Sequence, residues 1–582
     1  MGWKNGRENC CSPGETPLRL RSNFFRYWHT LRFLRLEQFI YRAWFRLYKA
    51  KVDFRPAPKT RNLGSFWVKP VARAPSLFDE QSFKFLNVTG VLDDIGWDGL
   101  QREKLWRYNQ HYFDDLNAKG AAERSVWHRK LLSDWLEANP PAHGSGWEPY
   151  PTSIRIVNWI KWSLAGNSLN EGCLNSLAIQ VRWLRCRLER HLLGNHLFTN
   201  GKALVFAGLF FEGPEASAWL RCGVRLLARE LPEQVLADGG HFERSPMYHA
   251  LALEDILDLT NLLRVGKDLG EVAMLLPMLE ESVPRMLNWL LTMCHPDGEL
   301  SFFNDAALDI APSPDSLFAY ARRLGFGNGR PAEPLPASEK KKSLPVITAL
   351  QPSGYVRIDA PSASALIDVA PIGPDYLPGH AHADTLSFEL SAFGQRLFVN
   401  SGTSVYGLSE ERLRQRGTAA HNTVIVDEVN SSEVWSGFRV ARRARPSNLE
   451  IERFARHVRV SCGHTGYQQT IKPPVTHVRQ WVMTARELKI SDVLRPSVAA
   501  YSHPAKARYH LHPAVRIISD DLSSSVTLRL PDGQDIQFVA FVGISVEAAT
   551  WHPRFGVSEP TSCIVLPLVE GAASAIIRWG NQ

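Results

Sequence analysis

From about residue 100 to residue 325, apolar positions recur every three or four residues. Leu177, Val181, Leu184 and Leu188 form one such row, and Leu253, Ile256, Leu257 and Leu263 form another. The run Met286 to Met293 is also rich in apolar residues. This spacing predicts helices, each with one apolar stripe. Short breaks separate the rows, as at Asn139-Pro140-Pro141 and Asp238-Gly239-Gly240. Successive helices without strand signals predict an all-α layer of hairpins. Residues 328–347 are rich in Pro and charge and read as a linker. Beyond them the pattern changes to short β-rich runs at 355–359, 396–399, 423–426 and 526–530, with turn signals such as Pro531-Asp532-Gly533. These predict an antiparallel β-sandwich. The expected architecture is therefore multidomain, α then β. It comprises an amino-terminal arm at 1–60, a helical domain at 61–327, the linker, and a sandwich at 348–582.

The arm has its own pattern. Within 19–51, nine Arg and Lys residues interleave with ten aromatic residues, against the single acid Glu37. Two readings fit. One is an amphipathic helix lying on an anionic membrane surface. The other is a helical arm packed on the body, with its Arg stems reaching to water.

At 582 residues the chain is too long for a single hydrophobic core. The net charge of +8 suits a polyanionic partner: nucleic acid, an anionic membrane or an acidic polysaccharide. No recognised nucleic-acid module accompanies the charge, so nucleic acid is not expected. None of the 8 Cys forms a CxxC pair, which argues against a zinc ribbon, and their density is too low for a disulfide framework. Met1 to Gly6 lack the apolar core of a signal peptide, and no apolar run is long enough to span a bilayer. The expected location is cytoplasmic or peripheral to the inner membrane, with the periplasm left open.

The densest chemical signal is Gly379-His380-Ala381-His382-Ala383-Asp384, followed by Leu386, Phe388 and Leu390 at alternating positions. In a strand, His380, His382 and Asp384 would share one face. Such a cluster binds a metal, a substrate or a proton, or else is a hydrogen-bonded pair at a strand edge. His421, in Ala419-Ala420-His421-Asn422-Thr423, adds a third histidine that a neighbouring strand could bring close. In the helical half, Asn195 and His196 are expected in a break before an apolar helix, as a cap or facing a cleft. Tyr248 opens a later helix. For substrate binding the first choices are Trp147, Tyr150 and Arg155: aromatic rings stack on sugars, and a guanidinium meets a carboxylate or sulfate; the other reading has Trp147 in the core and Arg155 holding a helix end. Asn109 and His111 are expected on the same cleft, and Arg439 on a basic rim.

Together these stretches resemble the heparinase II/III-like polysaccharide lyases, a group that includes oligoalginate lyases. The resemblance covers roughly residues 100–580. It rests on Gly194 to Leu204, Phe242 to Tyr248, Gly379 to Leu390, Asn400-Ser401-Gly402-Thr403 and Ala419 to Thr423. It implies an incomplete α/α toroid followed by an antiparallel β-sandwich. It also implies β-elimination on a uronate-containing acidic glycan, leaving a 4,5-unsaturated uronate end. By this resemblance Asn195 and His196 neutralise the uronate carboxylate and Tyr248 is the catalytic acid, in some members also the base. His380 is the partner base or tunes Tyr248, and Tyr406 is a second candidate acid. A divalent metal, zinc in several members, is implied at His382, Asn400 and His421. Asn400 stands where the family has an aspartate, which weakens zinc and favours a harder cation such as calcium, or a neutral hydrogen-bond network. The alternative to catalysis is a silent acidic-glycan-binding protein serving bacterial exopolysaccharide assembly or export. The acid–base set argues against it.

Overall fold

The structure is a computed structural model that describes residues 17–63, 67–267, 269–327, 344–498, 503–518 and 524–580. Most of the expected linker, 328–343, lies outside the described residues, as do residues 1–16 of the arm. The strand Val346–Leu350 begins inside the segment read as linker.

Helices dominate as far as Arg323. The row containing Leu177 lies on Glu171–Cys186, that of Leu253 on Pro246–Val265, and the Met286 run on Val272–Thr292. Asn139 ends Ser125–Ala138, as the Asn-Pro-Pro break requires. The buried stripes meet in one core that includes Trp135, Trp159, Leu204 and Leu257. The helix Gly194–Phe210 runs through its middle and is buried along nearly its whole length.

The second half is built from antiparallel ladders. Five strands between Val346 and Phe398 pair in sequence order as a meander. An eight-stranded and a four-stranded sheet follow. Trp481, Phe388, Phe398, Tyr509 and Phe538 anchor their common core. The strand Phe388–Ala392 is buried on both faces, which is why its polar positions do not alternate outward.

A small third core joins the halves. Trp289, Met293 and Phe303 from the helical side pack against Leu350, Tyr355 and Leu366 from the first sheet. The Trp289 indole donates to Ser353 Oγ at 2.9 Å, and the Tyr355 hydroxyl donates to the Arg244 carbonyl at 2.6 Å. This seam fixes the helical half against the loops that carry the histidines.

The arm forms two helices, α1 (Pro17–Leu31) and α2 (Leu36–Leu47). They dock through polar contacts. Arg26 pairs with Glu433 and Arg35 with Glu233, and the Arg187 guanidinium stacks 3.6 Å over Phe45. The arm is thus packed on the body through Arg26 and Arg35, while Arg32 and Arg46 are exposed. Among the described residues no helix is long and apolar enough to cross a membrane.

Candidate functional site

Three loops and two helix starts converge at the seam. The first is the turn Phe302-Phe303-Asn304-Asp305, in which Asn304 is left-handed with φ 57°. Its Asp305 carboxylate is fully buried. It forms a two-pronged ion pair with Arg412 of the helix Glu410–Arg416, with Nη2 at 2.7 Å. His380 Nδ1 lies 2.8 Å from Asp305 Oδ2, and His382 Nε2 lies 2.8 Å from Oδ1. Burial alone would raise this carboxyl, but Arg412 and the two imidazoles outweigh it and hold it well below the ordinary carboxylate range.

Both histidines therefore reach one carboxylate, though not as a strand face. Residues 379–387 form a loop with turns at 379–380 and 385–386, and the strand begins only at Phe388. Leu386 is left-handed at φ 66°, which breaks any pleat through the motif. Asp384 turns away and accepts the Asn304 backbone N–H at 3.1 Å.

His380 lies against Tyr248, with ring centroids 4.0 Å apart and the rings tilted by 32°. The Tyr248 and Tyr406 hydroxyls are 3.0 Å apart. Burial, then the neighbouring phenol and acids, push the Tyr248 hydroxyl well above the usual phenol range, so it carries its proton. Tyr406 is raised in the same way, again chiefly by burial. The other imidazole nitrogen of His380, Nε2, is 3.7 Å from Glu243 Oε2. Neither oxygen of Glu243 has a hydrogen-bond partner among the described residues. Burial pushes its carboxyl up to about 7, against the opposing pull of His380.

On the other side of Tyr248, a narrow cavity is lined by Tyr150, Asn195, Thr199, Tyr248 and Asp255. Asn195 and His196 lie in the first turn of Gly194–Phe210, not in a break before it. The helix starts early because Leu193 and Gly194 are both left-handed, at φ 67° and 57°. A Cβ on Gly194 would collide with Leu377 of the β half, so glycine lets the two halves close here. Among the described residues no side chain caps this helix start. Its amides and the positive end of its dipole suit a carboxylate. His196 packs against Tyr150 with centroids 4.5 Å apart and the rings tilted by 42°, and its Nδ1 is 3.1 Å from Glu189 Oε1. A second, larger cleft of about 690 Å³ lies on the far side of Tyr406 and is lined by Arg102, Trp106, Arg414 and Phe555.

The described geometry brings together Asn195, His196, Tyr150, Tyr248, His380 and Tyr406. The description Heparinase II/III N-terminus matches residues 94–316, and Heparinase II/III-like, C-terminal matches residues 344–580. The chain belongs to the heparinase II/III-like family. Among its relatives, a heparin-sulfate lyase of Bacteroides stercoris is 28% identical over 254 residues, covering 42% of this chain and 37% of that protein. The FtsZ-localized protein C of Caulobacter vibrioides is 24% identical over 521 residues, covering 84% of each chain. A mutant of the heparan sulfate lyase HepC from Pedobacter heparinus has the same fold, with a TM-score of 0.59 at 17% identity, covering 90% of this chain and 86% of that one. The chain spans only 37% and 53% of the first two curated heparin-sulfate lyases it matches.

Several residues expected on this heparinase-like cleft are elsewhere. Trp147 is buried, with its indole N–H on the Asn139 carbonyl. Arg155 is wholly buried, 4.0 Å over the Trp135 ring and bonded to Gln180 and the His111 carbonyl. His111 accepts the Trp135 indole N–H at 3.0 Å, and burial lowers its pKa to about 3. All three build the helical core: flat amphipathic side chains fill it while satisfying one another's polar atoms. The Asn109 amide is spent on its own helix, on the Leu105 carbonyl. Arg439 stacks on Trp435 and Tyr27, where the arm meets the body.

The set that the resemblance implies for a metal, His382, Asn400 and His421, lacks an anionic ligand at Asn400. His382 Nδ1 and His421 Nε2 are 3.2 Å apart, and the other ring nitrogen of His382 is held by Asp305. Burial lowers His382 to about 4 and His421 to about 3, so both are neutral. Asn400 supplies no anion, and its Oδ1 accepts the Asn422 N–H. Among the described residues no three His, Cys, Asp or Glu side chains form a metal-binding group. These residues make a hydrogen-bond network under the site.

Sequence reasoning missed Asp305, Arg412 and Glu243. Glu243 lay within the Phe242–Tyr248 stretch and could have been found as an acid three residues from Phe-Glu-Arg-Ser-Pro's helix start. Asp305 had no local signal, because its partners are 75 to 107 residues away.

Proposed function

We propose that this protein is a polysaccharide lyase that cleaves a uronate-containing acidic glycan by β-elimination, leaving a 4,5-unsaturated uronate end. One observation carries the reading: a protonated Tyr248 hydroxyl, in contact with Tyr406, lies against a histidine whose Nδ1 is fixed on a buried carboxylate. In this reading the uronate carboxylate sits at the start of Gly194–Phe210, on Asn195 and His196. Hydrogen bonds there stabilise the enediolate that forms when C5 loses its proton. His380 takes that proton through Nε2, with Nδ1–H donated to Asp305. Tyr248 then gives its proton to the O4 leaving group, and Tyr406 is placed to return one. Relatives named as heparin-sulfate lyases support a glycosaminoglycan-type substrate. The incomplete toroid of the family and a place in bacterial surface-polysaccharide metabolism belong to the same reading.

The test is ultraviolet absorbance of the unsaturated product, with heparan sulfate, heparin, hyaluronan, chondroitin, alginate and polyglucuronate as substrates. Absorbance should rise on at least one polymer, and Tyr248→Phe should reduce the rate roughly 10²–10⁴-fold, the usual weight of a general acid. The alternative reading is a cleft that binds acidic glycan without cutting it; the relative that covers 84% of this chain is named for localisation with FtsZ and not as a lyase. Retained binding with no absorbance change on any polymer would select that reading.

A further inference from the structure

The arm helix α2 is amphipathic, and it is mounted with its apolar face outward. Leu36, Phe39, Ile40, Trp44 and Leu47 are all exposed, Leu36 by 73% and Leu47 by 81%. At about 100° per residue these positions fall on one stripe. The opposite face holds the body: Gln38 donates to the Tyr376 carbonyl, Glu37 meets Arg190, and Arg190 stacks over Tyr41. Helix α1 repeats the arrangement, with Phe24 and Trp28 exposed by 67% and 57%. Folding normally buries such a stripe, and a contiguous exposed apolar face on a monomer marks an interaction surface.

Charge tells which partner fits. Arg32, Arg46, Lys49 and Lys51 are exposed around the stripe, and none forms an ion pair among the described residues. The one acid of α2, Glu37, is turned to the body. Interfaces between protein copies are depleted of charge at their centre and of Lys overall. An apolar stripe of Trp, Phe and Leu edged by Arg and Lys instead matches a helix lying in the headgroup region of an anionic bilayer.

We propose that the outward faces of α1 and α2 dock this protein onto the surface of an anionic lipid bilayer, without spanning it. The proposal does not depend on the cleavage chemistry. Its test is co-sedimentation of the full chain with vesicles of phosphatidylcholine alone and of phosphatidylcholine with phosphatidylglycerol. The chain should bind the phosphatidylglycerol vesicles, more weakly as salt rises. Ile40→Ser with Trp44→Ser should weaken binding at least about tenfold. These side chains are exposed, so thermal unfolding should be unchanged and any cleavage of soluble polymer retained. Arg46→Glu with Lys49→Glu should weaken binding without touching the stripe. No sedimentation with either vesicle would overturn the proposal, as would binding that the stripe variant leaves intact. A lipid-free dimer that Trp44→Ser dissociates would also overturn it, and would make the face a contact between copies.

Discussion

Asp305 is the residue on which the most groups converge. It meets Arg412, His380, His382 and the Thr403 hydroxyl, all within the buried seam. Arg412→Met leaves this anion without its main counter-charge. Loss of one partner of a buried pair costs about 3–5 kcal/mol, and urea unfolding should show a shift of that size. Asp305→Asn leaves the buried Arg412 without its counter-charge, so stability should fall by a similar amount, and turnover measured where the variant is still folded should fall as well because the hold on His380 is loosened. Glu243 gives a prediction with a definite sign. Its carboxyl is raised to about 7, so the folded state favours the protonated form. The stability it contributes is full below the ordinary carboxyl range and is lost as pH rises through about 7. Glu243→Gln should flatten that fall, leaving the variant more stable than the parent above neutral pH by up to ~3 kcal/mol. Urea midpoints on either side of neutrality would check it. At this scale the sequence was partly legible. His380 and Tyr248 stood in recognisable stretches, whereas Trp147 and Arg155 read equally as sugar platform or as core, His111 read as cleft, and all three are core. An aromatic or a guanidinium serves equally well in either place, and only burial distinguishes them.

Among the elements, the start of Gly194–Phe210 is the most constrained. It must enter the helix through a left-handed pair and leave room for Leu377. Gly194→Ala adds a methyl group where none fits. It should cost about 1–3 kcal/mol by thermal unfolding and impair turnover by moving Asn195. Helix existence was readable from the spacing of Leu177 and Leu253, because burial of one stripe imposes that period. The helix start was not, because the signal that moves it earlier is a contact with the other half. The His380 segment failed as a strand for a related reason. Alternating residues suggested a pleat, but its hydrogen bonds go to Asn304 and Asp305 across the seam, not to a neighbouring strand.

For the whole molecule, the order of helices then sheets was legible from periodicity alone, while the seam was not. The small core of Trp289, Phe303 and Tyr355 is assembled from residues that look ordinary in either half. His382, Asn400 and His421 form a neutral network of their own. Treatment with a chelator should leave the thermal midpoint and the rate of any polymer cleavage unchanged. A fall in either, restored by zinc or calcium, would show a cation doing the work assigned here to hydrogen bonds.

The Asp305–Arg412 pair ties the inheritance of the two halves together. The acid is encoded in the helical half and its arginine in the sheet half, so neither position is free to drift alone. In a lineage that has lost the acid, the arginine should have gone as well, and the histidine that leans on both should no longer be under selection for proton transfer.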